Sequence, residues 1–164
     1  MLADPQSLID DFVEDLCENV ELSADKARIT HDRWPAPHLA KDLPPNSGAI
    51  YVFSLSSRSD APAGAGRVLK VGKAGPNSNP RFRYQHYSSG SAKSTLSGAI
   101  ENNPLLWRYI AFPGQGTDVG SWIRDNTDRN NFYFKDKELI GYFEVYAKAR
   151  LGPVFEGSLS STRL

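Results

Sequence analysis

The chain has 164 residues, 40% hydrophobic and 23% charged, a composition typical of one globular domain with a short appendage. No apolar run approaches the ~18 residues of a membrane span, and the N-terminus lacks the basic-then-apolar pattern of a secretory signal. The single cysteine, Cys17, excludes an internal disulfide framework and a cysteine-rich zinc site. We therefore expect a cytoplasmic protein with no membrane partner.

The charges are distributed unevenly, although the formal net charge is zero. Residues 1–47 contain ten acidic and four basic side chains, a net charge of −6, so the remainder carries +6. A basic body is compatible with a polyanionic partner. The acidic segment could be a helix with a solvated face or a cover for the basic surface.

The first predicted element is an amphipathic helix over residues 7–20. Apolar residues recur there at three- and four-residue steps, and Asp4 and Pro5 supply a cap and a first-turn proline. This apolar stripe needs a partner, which could be the rest of the domain or a second subunit, so the helix could mediate a homodimer. Residues 22–46 contain four prolines and little periodicity, which predicts an extended connector.

A β-hairpin is predicted next. Residues 48–53 and 68–72 are short runs of β-branched and aromatic types, and they flank a soft segment rich in Ser, Gly, Ala and Pro. Tyr51 lies in the first strand and Lys70 in the second. Antiparallel pairing could bring both side chains to one site.

The chain after the hairpin is predicted to be mainly helical, with one further strand. Asn79 and Pro80 have the types expected where a helix begins, which would extend to residue 87. A second short helix is expected at about residues 94–102. Residues 105–112 are rich in strand-forming types and should add a third strand to the hairpin.

The last long element is a helix that Asp136 caps and that extends to Arg150, preceded by an edge strand near residues 132–134. The expected fold is therefore α/β of the α+β type, with a small three-stranded, mainly antiparallel sheet flanked by helices. The domains are expected to be an acidic helix and connector over 1–45, a body over 46–157 and a polar tail over 158–164.

Residues 46–157 resemble the GIY-YIG nuclease superfamily. The first signature tripeptide of that family matches Ala49-Ile50-Tyr51, and the second matches Lys70-Val71-Gly72. Most of the family has a tyrosine where this chain has Lys70. The remaining matches follow in family order. The family has an arginine and a histidine on the next helix, which match Arg81 or Arg83 with His86. It then has a glutamate, a proline nine residues later and an aromatic two residues after the proline, which match Glu144, Pro153 and Phe155.

The resemblance implies a divalent-metal-dependent endonuclease that hydrolyses DNA phosphodiester bonds. Glu144 would be the ligand of a Mg²⁺ or similar ion, since carboxylate oxygens suit that ion. Tyr51 would act as the general base or as the hydroxyl that orients the water. Lys70 would favour the phenolate of Tyr51 by placing an ammonium beside it.

The resemblance leaves the catalytic arginine open between two residues. Arg81 and Arg83 lie about 200° apart around a helix, so only one can face the site. We favour Arg81 as the clamp on the transition state, with Arg83 on the DNA backbone. His86 could hydrogen-bond Tyr51 or the phosphate. Lys73, Arg83 and Tyr87 are the expected nucleic-acid contacts.

Two other classes of function stay open at this point. A non-catalytic nucleic-acid-binding module on the same scaffold would bind DNA in a salt-dependent manner without cleaving it. A protein-interaction domain would dimerise through its acidic arm, and the positive charge of the body would then be incidental.

Overall fold

A four-stranded antiparallel sheet lies at the centre of a mixed α/β fold in a computed structural model that describes residues 4–19 and 28–156. The strands are β1 (Ile29–Trp34), β2 (Gly48–Leu55), β3 (Val68–Ala74) and β4 (Thr127–Phe134). The α-helices are α1 (Pro5–Asn19), α2 (Asn79–Arg83), α3 (Leu96–Glu101), α4 (Trp107–Ile110), α5 (Val119–Asn126) and α6 (Lys137–Leu151). Short 3-10 helices cover Gln85–Tyr87 and Pro104–Leu106.

The sheet has the order β1-β4-β2-β3, and helices cover both faces. Alternate residues of β2 face opposite cores because strand side chains alternate. Tyr51 and Phe53 pack with the layer of α2 to α5, whereas Ile50 and Val52 pack with α1 and α6. The predicted hairpin is confirmed as β2 and β3, in which Tyr51 pairs with Gly72.

The predicted third strand at residues 105–112 is wrong, because these residues form a 3-10 turn followed by α4. Pro104 begins the turn, and Leu105 is 95% exposed. Trp107 and Ile110 lie three residues apart, a helical spacing, and the indole of Trp107 donates to the carbonyl of Ile100 at 2.7 Å. Strand propensity depends on context, and here the short apolar run folds onto α3 instead.

Strands β1 and β4 differ from what the sequence predicts for their residues. β1 lies inside the predicted connector and pairs with β4. β4 contains the predicted edge strand at residues 132–134, but it is longer and lies between β1 and β2. Its first five residues are all polar, which hid the strand in the sequence. The sheet therefore has four strands, not three.

Helix α1 buries its apolar stripe against the rest of the same chain. Leu8, Phe12 and Leu16 are buried, and the rings of Phe12 and Phe143 meet edge to face at 5.0 Å. Asp11 accepts a hydrogen bond from Arg150 of α6 at 2.7 Å. The stripe therefore has its partner within the domain, which removes the reason for expecting a homodimer through this helix.

Helix α6 begins as predicted, since the carboxylate of Asp136 accepts from the backbone N–H of Glu138 at 2.9 Å. It ends at Leu151, and the next residue, Gly152, has a φ of 51°, a left-handed conformation that favours glycine. The chain then turns back, and Phe155 donates its backbone N–H to the carbonyl of Leu69 on β3 at 2.8 Å. Of the three motif residues, Glu144 thus lies on α6, Pro153 follows the end of that helix, and Phe155 lies where the chain returns to the edge of the sheet.

Four predictions lie wholly or partly outside the described residues: the end of the first helix at residue 20, the first part of the connector, over 22–27, the last residue of the body, 157, and the tail over 158–164. Within the described residues, no helix combines the length and the apolar character needed to cross a bilayer.

Candidate active site

A pocket of about 580 Å³ lies along β3, an edge strand of the sheet, where the two helical layers approach each other. Lys70 and Lys73 come from β3, Arg81 from α2, and Glu144 and Lys148 from α6. The pocket therefore gathers residues from distant parts of the sequence. It brings together four of the predicted site residues: Lys70, Lys73, Arg81 and Glu144.

The pocket carries an excess of positive charge. Five basic side chains line it against two acidic ones: Lys70, Lys73, Arg81, Lys137 and Lys148 against Glu138 and Glu144. Clustered cations with low-dielectric walls attract oxyanions, and phosphate oxygens are the acceptors that lysine and arginine bind most often on nucleic acids.

Glu144 is held between two lysines. One carboxylate oxygen lies 2.8 Å from Nζ of Lys73 and the other lies 2.9 Å from Nζ of Lys148. Burial by itself would raise the pKa of Glu144, but the hydrogen bonds from both lysines outweigh it and the pKa is lowered. The carboxylate is therefore ionised at neutral pH.

Tyr51 lies behind the pocket with no exposed surface. Its hydroxyl donates to the carbonyl of Lys73 at 3.2 Å and accepts from Nε of Arg81 at 3.3 Å. It also contacts Nε2 of His86 at 2.6 Å. The opposing residue must be Gly72, because a Cβ there would lie 2.5 Å from the ring of Tyr51. This contact explains the glycine of the second tripeptide.

His86 is fully buried and its tautomer follows from its contacts. The backbone N–H of Leu96 donates to Nδ1 at 2.9 Å, so the ring proton lies on Nε2 and is donated to Tyr51. Burial lowers the pKa of His86, and the charges of Arg129, Arg81 and Lys70 lower it further. Of the two predicted contacts, the structure shows the hydrogen bond to Tyr51.

The expected effect of Lys70 on Tyr51 does not hold. Burial raises the pKa of Tyr51, and the cations that oppose this rise are Arg81 and Arg129. Lys70 pairs with Phe53, two residues along β2 from Tyr51. Tyr51 is therefore a neutral phenol at neutral pH.

Lys70 is an unusual lysine. Its side chain is 2% exposed and lines the pocket, and no ion pair or hydrogen bond engages its ammonium anywhere in the described part of the chain. Burial lowers the pKa of Lys70 to about 8, with further lowering by the charges of Lys148 and Arg81. An appreciable fraction of this amine is therefore neutral near physiological pH.

The other predicted nucleic-acid contacts lie elsewhere. Arg83 is absent from the lining of the pocket; it pairs with Asp42 at 2.8 Å and stacks on the ring of Tyr84 at 4.9 Å. Tyr87 is 6% exposed and belongs to the core. The structure therefore assigns Tyr87 a packing role in place of the predicted contact with DNA.

Arg129 is a buried residue that was not among the predicted site residues. Its guanidinium has no exposed surface and donates to the carbonyl of Phe82 at 2.8 Å and to the hydroxyl of Tyr87 at 3.1 Å. Its carbon Cζ lies 4.3 Å from the ring of Phe82 and 4.8 Å from that of Tyr51. Arg129 thus fixes the position of the helix that carries Arg81. Nothing in the sequence separates it from the polar residues around it.

His38 completes this buried network and predicts a pH dependence of stability. Nδ1 of His38 donates to the carbonyl of Thr127 at 3.0 Å, and Nε2 accepts from the hydroxyl of Tyr87 at 2.9 Å. Burial, then the charge of Arg129, lowers the pKa of His38 to about 4.

Because the unfolded chain binds the His38 proton more tightly, native stability should fall as pH falls from about 6.5 towards 4. Between pH 7 and pH 5 this residue should cost about 2 kcal/mol. Urea unfolding of the wild type and of His38→Gln at both pH values measures the effect, since glutamine does not titrate. An identical pH dependence in both proteins would contradict the assignment.

The pocket offers few protein ligands for a divalent ion. The described segments contain no group of three or more His, Cys, Asp or Glu side chains that could hold a metal. Of the two carboxylates that line the pocket, Glu138 is exposed, whereas Glu144 is a half-buried, ionised oxygen donor. Its partners Lys73 and Lys148 are 55% and 30% exposed, so both can move aside. An ion such as Mg²⁺ keeps several waters and takes few carboxylates, which is compatible with Glu144 as its protein ligand.

Comparisons with models of protein families, with curated proteins and with solved structures find no match to this chain. The resemblance to the GIY-YIG superfamily therefore rests on the motif residues alone and stays a prediction.

Proposed function

We propose that the protein is a divalent-metal-dependent endonuclease that hydrolyses phosphodiester bonds in DNA. The observation that carries the proposal is the pocket beside β3. It combines one ionised carboxylate, Glu144, with Arg81 and an excess of lysines. Hydrolysis of a phosphodiester needs neutralisation of the phosphoryl oxygens, an activated water and help for the leaving oxygen, and this set of groups can meet those needs.

Arg81 is suited to bind the reacting phosphate. Its Nε is anchored on the hydroxyl of Tyr51, and Tyr51 is in turn anchored by His86. The anchored guanidinium lines the pocket with its fork of donors, which matches the geometry of two phosphate oxygens. Tyr51 and His86 are thus positioning residues for Arg81.

Glu144 would hold the divalent ion. When bound there, such an ion would supply Lewis-acid stabilisation of the charge that develops on the phosphate. Lys73 and Lys148 neutralise Glu144 in the free protein and are close enough to bind the phosphate of the substrate once DNA enters. Lys137, at the start of α6, extends the positive surface along the pocket.

A second candidate function is a nucleic-acid-binding module without catalysis. One observation favours it: both oxygens of Glu144 already have ammonium partners, so the carboxylate is neutralised without a metal. Such a module would bind DNA with the salt dependence of phosphate contacts and leave it intact.

The two candidates are separated by incubating supercoiled plasmid with the protein in Mg²⁺, in Mn²⁺ and in EDTA. We expect nicked and linear products with either metal and none in EDTA. Salt-dependent DNA binding without cleavage in either metal would favour the binding module. No binding and no cleavage would contradict both candidates.

A further inference from the structure

We propose that Lys70 is the proton acceptor for the attacking water and that Tyr51 is not. This inference rests on the proposed function and assigns one of its steps. Three observations carry it: the saturated hydroxyl of Tyr51, the unpartnered amine of Lys70 and the place of Lys70 on the pocket wall.

The hydroxyl of Tyr51 has no capacity left for a water. It has one proton and two lone pairs. The proton is donated to the carbonyl of Lys73, and the lone pairs accept from Arg81 and His86. As a base, Tyr51 would first have to release its own proton, and burial opposes the resulting charge. Tyr51 is also absent from the lining of the pocket.

Lys70 has the opposite properties. Its side chain lines the pocket, and within the described residues its nitrogen makes no hydrogen bond and no ion pair, Glu144 included. A buried lysine near cations loses its proton readily, which is how proteins convert lysine into a base. The charged and titratable groups of the surrounding elements come from both helical layers and from the sheet. They are Lys73 on β3, Arg81 on α2, His86 on the 3-10 helix after α2, four residues of α6 (Lys137, Glu138, Glu144 and Lys148), and Glu156 after α6.

The proposed step transfers one proton from the attacking water to Lys70. The oxygen of a water attacks phosphorus while the neutral amine of Lys70 takes a proton from that water. The bond between phosphorus and the leaving oxygen breaks, and the leaving oxygen is protonated by solvent. The ammonium of Lys70 afterwards returns its proton to solvent, so no oxidant, reductant or co-reactant is required.

The step predicts a pH dependence set by Lys70. Because the pKa of Lys70 is about 8, the single-turnover cleavage rate should rise about tenfold per pH unit below 8 and level off above it. Lys70→Met, which keeps the length of the apolar stem, should lower the plateau rate about 10²- to 10⁴-fold and abolish the rise. Lys70→Arg keeps the charge but cannot act as a base, so it should show the same loss with DNA binding retained.

Two control variants identify the source of the rise. Lys73→Met removes another cation of the pocket and should slow cleavage while keeping the rise near pH 8. Tyr51→Phe should also keep the rise, since the phenol is not the base. The inference is overturned if Lys70→Met keeps the wild-type profile, or if Tyr51→Phe loses the rise.

A titration in the absence of DNA and metal tests Lys70 separately. In protein labelled with ¹³C-lysine, the Cε resonance that is missing from Lys70→Met belongs to this residue, and its midpoint should lie near pH 8. A midpoint near the usual ~10.4 of lysine would overturn the inference even if the enzyme cleaves DNA. Cleavage by the wild type with an unchanged Lys70→Met profile would overturn this assignment alone, whereas no cleavage at any pH in Mg²⁺ or Mn²⁺ would overturn the endonuclease proposal as well.

Discussion

Glu144→Gln should reduce Mg²⁺-dependent cleavage of plasmid about 1,000-fold, since Lewis-acid stabilisation is worth several kcal/mol and each 1.36 kcal/mol is tenfold in rate. Glutamine has nearly the same volume but lacks the charge that holds the ion. DNA affinity should be kept or increased, because the substitution frees Lys73 and Lys148 from their ion pairs. Cleavage time courses and a fluorescence binding titration measure the two effects.

Glu138→Gln is the matched control, because Glu138 is the other carboxylate that lines the pocket and it is exposed. We expect its cleavage rate to stay close to that of the wild type. An equal loss in both variants would point to a general charge effect. Full activity in Glu144→Gln would remove Glu144 from the proposed site.

Phe143→Ala should lower the free energy of unfolding by about 3–5 kcal/mol, the range measured for large-to-alanine changes in protein cores. Phe143 has no exposed surface, and its ring lies 5.0 Å from Phe12, 5.1 Å from Phe132 and 5.2 Å from Phe134. Alanine would leave a cavity where α1, α6 and the sheet meet. Since domains have about 5–15 kcal/mol of stability, the loss would be a large fraction of the total.

Urea unfolding measures this loss, and Tyr142→Ala provides the comparison on the same helix. Tyr142 is 64% exposed, so its removal should change the unfolding free energy by no more than about 0.5 kcal/mol. Similar effects for both substitutions would contradict the packing described for α6.

The elements with strong local signals could be predicted from the sequence. Helices α1 and α6 have apolar residues at helical spacing, and Asp136 and Gly152 mark the ends of α6 by their side-chain chemistry and backbone freedom. The hairpin is predicted by its two β-branched runs. These signals depend on neighbours along the chain, and the structure confirms all four elements.

The elements that depend on distant contacts could not be predicted. β4 begins with five polar residues, and they can be buried because Arg129 finds acceptors on Phe82 and Tyr87, which are more than forty positions away. Residues 105–112 have strand-forming types but pack on α3 as a helix. In both cases the tertiary environment, which a local pattern does not contain, decides the outcome.

The candidate site could likewise be predicted only in part. The order of the motif residues predicted that Lys70, Arg81 and Glu144 meet, and they share one pocket. It also gave Tyr51 as one of two possible partners of His86, and this hydrogen bond is present. The roles of Arg83 and Tyr87 depend on how two short helices are oriented on the core. Their partners are Asp42 for Arg83 and His38 for Tyr87, and both partners lie in a segment whose sequence has no clear pattern.

If the protein has the proposed function, the ion pairs of Glu144 with Lys73 and Lys148 link the binding of the metal ion to the binding of DNA. If Glu144 held a divalent ion, Lys73 and Lys148 would be released from their ion pairs, and two ammonium groups would become available to phosphate. DNA that draws the lysines away equally exposes the carboxylate to the ion. Because such coupling is reciprocal, each ligand should tighten the binding of the other by the same factor. Metal and substrate would thus enter this pocket cooperatively through a simple exchange of ionic partners.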